Sequence, residues 1–203
     1  ILIIFCISGN ACARNNNIYR NSVEYLSATD IQVDKFEIQN LILNVLSWSE
    51  SNQSINLLPV ITDSRGIVYI GFDLRMVEVN IEKLKETNFF TKEFIENYRH
   101  IILTLDRKIR HNKTNEWLVG DLPTFKFANG VNPWCLCQGY SPNDFKEIAL
   151  TRINGNSCEL IWRWKNNSSW NDFTVRVRKI DNRWKIDYME GFDYKNSIEQ
   201  FKK

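Results

Sequence analysis

The feature that most constrains this fold is the alternation of apolar and polar residues between Phe145 and Tyr188. Three runs there have the two-residue period of half-buried strands: Cys158–Lys165, Phe173–Lys179 and Trp184–Tyr188. Turn residues separate the runs, so the stretch predicts an antiparallel meander, with another strand beginning near Phe145. The side chains expected on its inner face are Cys158, Leu160, Trp162, Trp164, Phe173, Val175, Val177, Trp184, Ile186 and Tyr188.

A sheet with so many aromatic residues on one face must be covered, and the upstream chain offers helices to cover it. Asp34 is expected to cap a helix over Lys35–Ser51, and Thr91 a helix that runs to about His111, each with apolar residues at helical spacing. We therefore predict an α+β fold, in which N-terminal helices pack on a curved antiparallel sheet in one domain. Shorter elements expected between the helices are a hairpin of Leu57–Ile61 with Ile67–Phe72 and one or two helical turns within Asn80–Asn88.

The N-terminal segment resembles the end of a secretory signal. Residues 1–8 are apolar and uncharged, and Ala11-Cys12-Ala13 is a suitable cleavage site. We expect residues 1–13 to be a signal-peptide remnant, residues 14–33 a polar tether, and residues 34–203 the domain. The run is too short to span a bilayer, so no integral membrane span is expected, although Cys12 offers lipid attachment as an alternative to a soluble periplasmic or secreted form.

An exported chain would keep Cys135, Cys137 and Cys158, enough for one disulfide and one further thiol. Cysteines spaced like Cys135 and Cys137 seldom bridge each other, so Cys158 is the expected partner of one of them. Cys137 is slightly preferred because it lies closer to the first strand, and the bridge would close a loop of about 20 residues worth about 3 kcal/mol. A chain without a disulfide stays the alternative. With His100 and His111 as the only histidines, no metal and no cofactor are expected.

Three segments carry a resemblance to a known family. They are Asn88–Tyr98, Asn132–Gln138 and Arg183–Asp187, and they are similar to an uncharacterised family of exported bacterial proteins. That family belongs to the superfamily of nuclear transport factor two and ketosteroid isomerase, which has a cone-shaped, cystatin-like fold. The resemblance covers roughly residues 34–192. It implies a cone of helices on a curved sheet, and because that fold hosts both enzymes and binding proteins it implies no particular chemistry.

A binding role is favoured over catalysis by the distribution of ionisable residues. An isomerase-like enzyme needs an acid or base inside an apolar cavity, and no inward position of the meander carries one. No catalytic residue is therefore assigned, and an isomerase-like activity remains a lesser alternative. A small apolar ligand is the alternative to a protein partner, with core filling as the simpler explanation of the same aromatic residues. The residues expected to line and flank a ligand cavity are Trp134, Gln138, Tyr140, Trp162, Trp164, Trp184 and Tyr188.

The outer face of the meander is expected to be basic. Arg163, Arg176, Arg178 and Lys185 all fall on it, and they would suit an acidic protein partner such as the target of an immunity-type inhibitor in the bacterial envelope. A merely solvated face is the simpler alternative. The whole chain has 26 basic and 24 acidic residues and a formal charge of +2, which does not favour a nucleic-acid partner.

Overall fold

The computed structural model describes residues 28–111, 116–138, 145–154, 156–166 and 169–199. These residues form an α+β fold around one hydrophobic core, as the sequence predicts. The predictions of a signal-peptide remnant, of lipid attachment at Cys12 and of a role for Tyr140 fall outside the described residues. Among the helices that are described, none is both long and apolar enough to cross a bilayer.

Helix α1 spans Ala28–Ser49 and therefore begins upstream of the predicted cap. The predicted start of this helix at Lys35, with Asp34 as its cap, is therefore wrong. The Asp34 carboxylate is buried and accepts hydrogen bonds from Lys179 Nζ at 2.8 Å and Trp184 Nε1 at 2.9 Å. These partners belong to distant strands, so the sequence around Asp34 gives no sign that its carboxylate is engaged away from the helix terminus.

A small antiparallel sheet follows, with strand order β1-β2-β3. Its members are β1 (Val60–Thr62), β2 (Val68–Phe72) and β3 (Trp117–Leu118). The predicted hairpin of β1 and β2 is confirmed, and the Asp63 carboxylate accepts the Ile67 backbone N–H at 2.8 Å within its turn. The third strand, which the sequence did not suggest, comes from a segment far downstream.

Helix α2 spans Leu74–Glu86, which is longer than the one or two turns that we predicted from Asn80. Asp73 caps it by accepting the Arg75 backbone N–H at 3.0 Å. The pattern was present in the sequence, because a cap residue precedes apolar positions at helical spacing. The residues that α2 buries are Val77, Asn80, Ile81 and Leu84.

Helix α3 spans Lys92–His111, and Thr91 caps it as predicted by accepting the Phe94 backbone N–H at 3.2 Å. The helix packs against β2 and against the last strand of the meander. One broad face is buried, and its residues are Phe94, Ile95, Tyr98, Ile101, Ile102, Leu105 and Asp106.

The meander is a four-stranded antiparallel sheet in sequence order. Its strands are β4 (Phe145–Asn154), β5 (Ser157–Asn166), β6 (Ser169–Ile180) and β7 (Arg183–Met189). Asp181 and Asn182 connect β6 to β7 with φ angles of 49° and 59°, as a type I′ hairpin turn requires. The predicted inward residues that are indeed buried are Cys158, Leu160, Trp162, Phe173, Val175, Val177, Trp184 and Ile186.

The last described residues form two short elements that close the core. A 3-10 turn spans Glu190–Phe192, and helix α4 spans Tyr194–Ser197. Gly191 lies so close to the Pro133 backbone carbonyl that a Cβ atom there would collide with it. This contact ties the C-terminal turn to the irregular segment that carries the cysteines.

The disulfide joins Cys135 to Cys137, so the predicted bridge from Cys158 to one of them, with Cys137 preferred, is wrong. Leu136 has a φ of 52°, and the tight turn around it brings the two Cα atoms to 5.2 Å. Cys158 is buried on β5 with its thiol 3.7 Å from the Glu159 carbonyl oxygen. A bridge over such a short loop stabilises the fold by about 1.6 kcal/mol in the chain-entropy model, about half of what the predicted bridge would contribute.

Candidate functional site

The outer face of the meander carries all four basic residues that were assigned to it. Strand register pairs Arg163 with Asp172 and Arg178 with Lys185, and Arg176 follows the same alternation along β6. These side chains lie opposite the buried residues of β5, β6 and β7. The structure therefore brings Arg163, Arg176, Arg178 and Lys185 together on one face, as the period-two pattern predicts.

Two of these arginines are already engaged by carboxylates. Arg163 forms a bidentate ion pair with Asp172, with Nη2 donating to Oδ2 at 2.9 Å. The hydrogen bond from Arg163 lowers the pKa of the Asp172 carboxyl from its usual value. Arg178 lies 2.5 Å from Asp187 and 2.9 Å from Glu93, so its guanidinium links the sheet to the start of α3. The face is consequently less positive than the sequence suggests.

Tyr188 lies on this outer face, which corrects its predicted inward position. The register of β6 with β7 shifts between Arg176 and Val177, so that Val177 pairs with Ile186 and Arg176 pairs with Tyr188. Asp187 is the additional residue in β7. Such a β-bulge reverses the alternation beyond it, and Met189 consequently becomes the buried residue.

Arg176 and Tyr188 form a cation–π pair at the centre of this surface. The Arg176 Cζ atom lies 4.2 Å from the centre of the Tyr188 ring, and the Arg176 side chain is exposed. Partial burial, with smaller contributions from Asp193 and Glu190, raises the pKa of the Tyr188 hydroxyl. The phenol therefore stays neutral and can donate a hydrogen bond at physiological pH.

A groove of about 370 Å³ lies beside this pair. Glu159 and Asp187 contribute carboxylates to its wall, and Arg176 and Arg178 contribute guanidinium groups. Asp187 and Arg178 are paired with each other, and the strand register places Glu159 opposite Arg176, whose side chain is exposed. We define the outer-face site as Glu159, Arg176, Arg178, Asp187 and Tyr188.

The tryptophans assigned to an interior ligand cavity instead fill the core, as far as their side chains are described. The Trp134 ring is 1% exposed, and its centre lies 4.5 Å from that of Phe192 and 5.5 Å from that of Phe90. Trp162 is buried as well. The predicted role of Trp134 at a cavity mouth is therefore wrong, because its ring is enclosed by other rings.

The remaining members of that predicted set do not converge on one cavity. Trp184 is buried and donates its indole N–H to Asp34, whereas Gln138 is exposed. The side chain of Trp164 lies outside the described part of the structure. The set was drawn from alternation alone, which separates the two faces of a sheet but does not tell a lined cavity from a filled one.

The buried ionisable groups have structural partners. The Asp106 carboxylate accepts the Phe72 backbone N–H at 2.8 Å and is held by Arg110 Nε at 2.8 and 3.0 Å. Gly71 is required beside it, because it has a φ of 149° and a Cβ atom there would lie 2.6 Å from Asp106 Oδ1. Tyr98 accepts a hydrogen bond from Asn80 Nδ2 at 3.0 Å, and burial raises the pKa of its phenol well above the usual range.

Among the described residues, no group of three or more histidine, cysteine, aspartate or glutamate side chains is placed to hold a metal ion. No protein-family model matches the chain, and neither a curated protein nor a solved structure is significantly similar to it. The resemblance to the nuclear transport factor two-like superfamily therefore stays a prediction.

Proposed function

We propose that this protein is a non-catalytic binding module that engages an acidic partner protein through the outer-face site. The β-bulge at Asp187 supports this proposal most strongly, because it turns Tyr188 out of the core to lie under Arg176. Bulges often redirect a side chain at a functional surface. Tyrosine and arginine are also the residue types that most often dominate the binding energy of protein interfaces.

The state of the buried carboxylates also favours binding over catalysis. Asp34 is engaged by Lys179 and Trp184, and Asp106 is engaged by Arg110 and a backbone N–H. A general acid or base needs a carboxyl group that can exchange its proton with a substrate. These two carboxylates instead join elements of the fold.

We place the proposed activity outside the cytoplasm, where an immunity-type inhibitor of the bacterial envelope would act. The Cys135–Cys137 disulfide supports this location because disulfides persist in oxidising compartments. The exposed guanidinium of Arg176 and the Lys185 ammonium on the same face support an acidic partner, since complementary charge speeds encounter and excludes partners of like charge.

Charge reversal of Arg176 tests the proposed site. A partner is first captured with the wild-type protein from the envelope fraction, and its binding kinetics are then measured at several salt concentrations. We expect Arg176→Glu to slow association by about tenfold at low salt and to abolish its salt dependence, because exposed charges act mainly through the encounter rate. Tyr188→Ala should instead raise the dissociation rate.

Arg65→Glu is the matched control, since Arg65 is an exposed arginine that pairs with Asp63 in the turn of the small sheet. It should leave both rates close to the wild-type values. A captured partner that binds the Arg176→Glu variant with unchanged kinetics at low salt would rule out this face. Both charge-reversal variants should fold, since a substitution at an exposed position changes the free energy of unfolding by about 1 kcal/mol or less.

A surface groove favours a small apolar ligand as the second candidate function. Its volume is about 470 Å³, and it lies between the ends of α1 and α2. The rings of Trp48 and Phe89 contribute to its wall, with their centres 6.4 Å apart and their planes at 78°. Two nearly perpendicular rings offer one face and one edge to a flat apolar molecule. This groove takes the place of the ligand site that the sequence predicted inside the fold.

Benzyl alcohol serves as the probe for this second function. We expect it to shift the backbone amide resonances of Trp48 and Thr87 and the indole resonance of Trp48. These shifts should saturate as the probe is added. Phe89→Leu should weaken binding severalfold because the aromatic wall is lost while apolar volume is largely kept. Phe36→Leu, at an exposed position of α1, is the control. Equal affinity of the wild-type and Phe89→Leu proteins would eliminate the groove as the binding site.

A further inference from the structure

Another groove lies along the outer side of α3, away from the outer-face site. Its volume is about 480 Å³, within the range of about 300–1,000 Å³ that small-molecule sites occupy. His100, Leu103, Thr104 and Arg107 form its floor at positions i, i+3, i+4 and i+7 of the helix. Tyr194 of α4 contributes to the wall.

A row of hydrogen bonds holds the polar end of this groove. Arg107 Nη2 donates to Thr104 Oγ1 at 3.3 Å, and the same oxygen lies 3.1 Å from the Tyr194 hydroxyl oxygen. Arg107 Nε donates to the Leu103 carbonyl oxygen at 3.3 Å. The guanidinium is thus positioned by neutral acceptors, with three of its five N–H donors left for other partners.

Arg107 differs from neighbouring arginines of α3 in this respect. Arg99 pairs with Glu78 at 2.7 Å and Arg110 pairs with Asp106 at 2.8 Å, whereas no carboxylate of the described residues pairs with Arg107. Its positive charge is consequently uncompensated at the groove. A planar guanidinium in this state is the group that best recognises a carboxylate, through two parallel hydrogen bonds.

Asp106 also lines the groove, but its carboxylate is not placed to repel a bound anion. Its side chain is 8% exposed, and Arg110 Nε and the Phe72 backbone N–H occupy its oxygen atoms. The remaining lining consists of Leu103, the exposed Leu74 at the start of α2, and His100. The groove therefore joins one uncompensated cation and two hydroxyl groups to an apolar surface.

We propose that this groove binds a small aliphatic monocarboxylate, with Arg107 holding the carboxylate and Leu74 and Leu103 contacting the alkyl chain. Thr104 and Tyr194 act as positioning residues, since Thr104 accepts from the guanidinium, Tyr194 bonds Thr104, and one O–H of the pair remains to donate to the ligand. A ligand with this chemistry needs one charged end and an apolar body that fits the groove. The inference does not depend on Arg176 or Tyr188, so the two sites can be tested separately.

Hexanoate and 1-hexanol are a matched pair of probes, because they share the alkyl chain and differ in the charged group. Each is titrated into the isotopically labelled full chain while backbone amide resonances are followed. We expect saturable shifts confined to residues around Leu103, Arg107 and Tyr194 with hexanoate. The alcohol should bind about tenfold more weakly because it cannot form the charge-assisted bonds.

Arg107→Gln should weaken hexanoate binding by about tenfold and leave hexanol binding unchanged, since only the charged contact is lost. Arg65→Gln, at the exposed arginine of the small-sheet turn, should bind both probes as the wild-type protein does. The proposal is overturned if hexanoate causes only unsaturable shifts, if its shifts map elsewhere, or if Arg107→Gln binds it unchanged. Should that variant fold poorly, the wild-type shift map and the comparison of the two probes decide the question.

Discussion

Trp134→Ala is expected to lower the free energy of unfolding by about 3–5 kcal/mol, as truncation of a fully buried aromatic residue does. Its ring is 1% exposed and packs against Trp48, Phe90, Phe94 and Phe192, whose ring centres lie between 4.5 and 6.2 Å away. Removal leaves a cavity where α1, α3 and the C-terminal turn meet. Urea denaturation followed by far-ultraviolet circular dichroism measures the loss.

The position of Trp134 should make the loss unusually large for a loop residue. The segment from Asn132 to Cys137 has little regular structure, and this ring and the contact of Pro133 with Gly191 help to hold it against the rest of the fold. Phe36→Ala is the control, because the Phe36 side chain is 63% exposed and its truncation should cost less than about 1 kcal/mol. A loss below about 1 kcal/mol for Trp134→Ala would mean that the loop does not pack into the core.

Asp106→Ala is expected to lower the free energy of unfolding by about 2–4 kcal/mol, because it leaves one buried donor and one cation without their partner. The Phe72 backbone N–H would lose its acceptor and Arg110 would lose its ion-pair partner. The measurement is again urea denaturation, with a double-mutant cycle of Asp106→Ala and Arg110→Ala to isolate the coupling between the two side chains.

Asp121→Ala controls for the loss of one carboxylate from the chain, since Asp121 is exposed. Its effect should stay within about 0.5 kcal/mol. If Asp106→Ala were equally mild, the link between α3 and the small sheet would have to rest on apolar contacts alone. The coupling in the cycle would then be close to zero.

Local patterns were sufficient wherever a residue's conformation depends on its neighbours in sequence. The alternation in β5 and β6 predicted which side chains are buried, and the turn at Asp181 and Asn182 followed from residue types that tolerate positive φ angles. Thr91 was recognised as the cap of α3 for the same reason. Helix α2 was underestimated although its signal, a cap at Asp73 before apolar residues at helical spacing, is equally local.

The predictions that failed did so for different physical reasons. Asp34 looks like a helix cap until Lys179 and Trp184 are brought to it by folding. The cysteine pairing depends on the left-handed backbone conformation of Leu136. Leucine rarely adopts this conformation, and nothing in the sequence predicts it there.

The sequence by itself determined the α+β class, the inner and outer faces of the meander and the placement of Arg163, Arg176, Arg178 and Lys185 on one surface. Periodicity decides these features because each strand must bury one face. Only the tertiary structure decided which of those charges are compensated, that Tyr188 lies outside beside Arg176, and that Arg107 faces a groove without a carboxylate among the described residues. Those outcomes depend on register shifts and on contacts between separate elements, which no local pattern encodes.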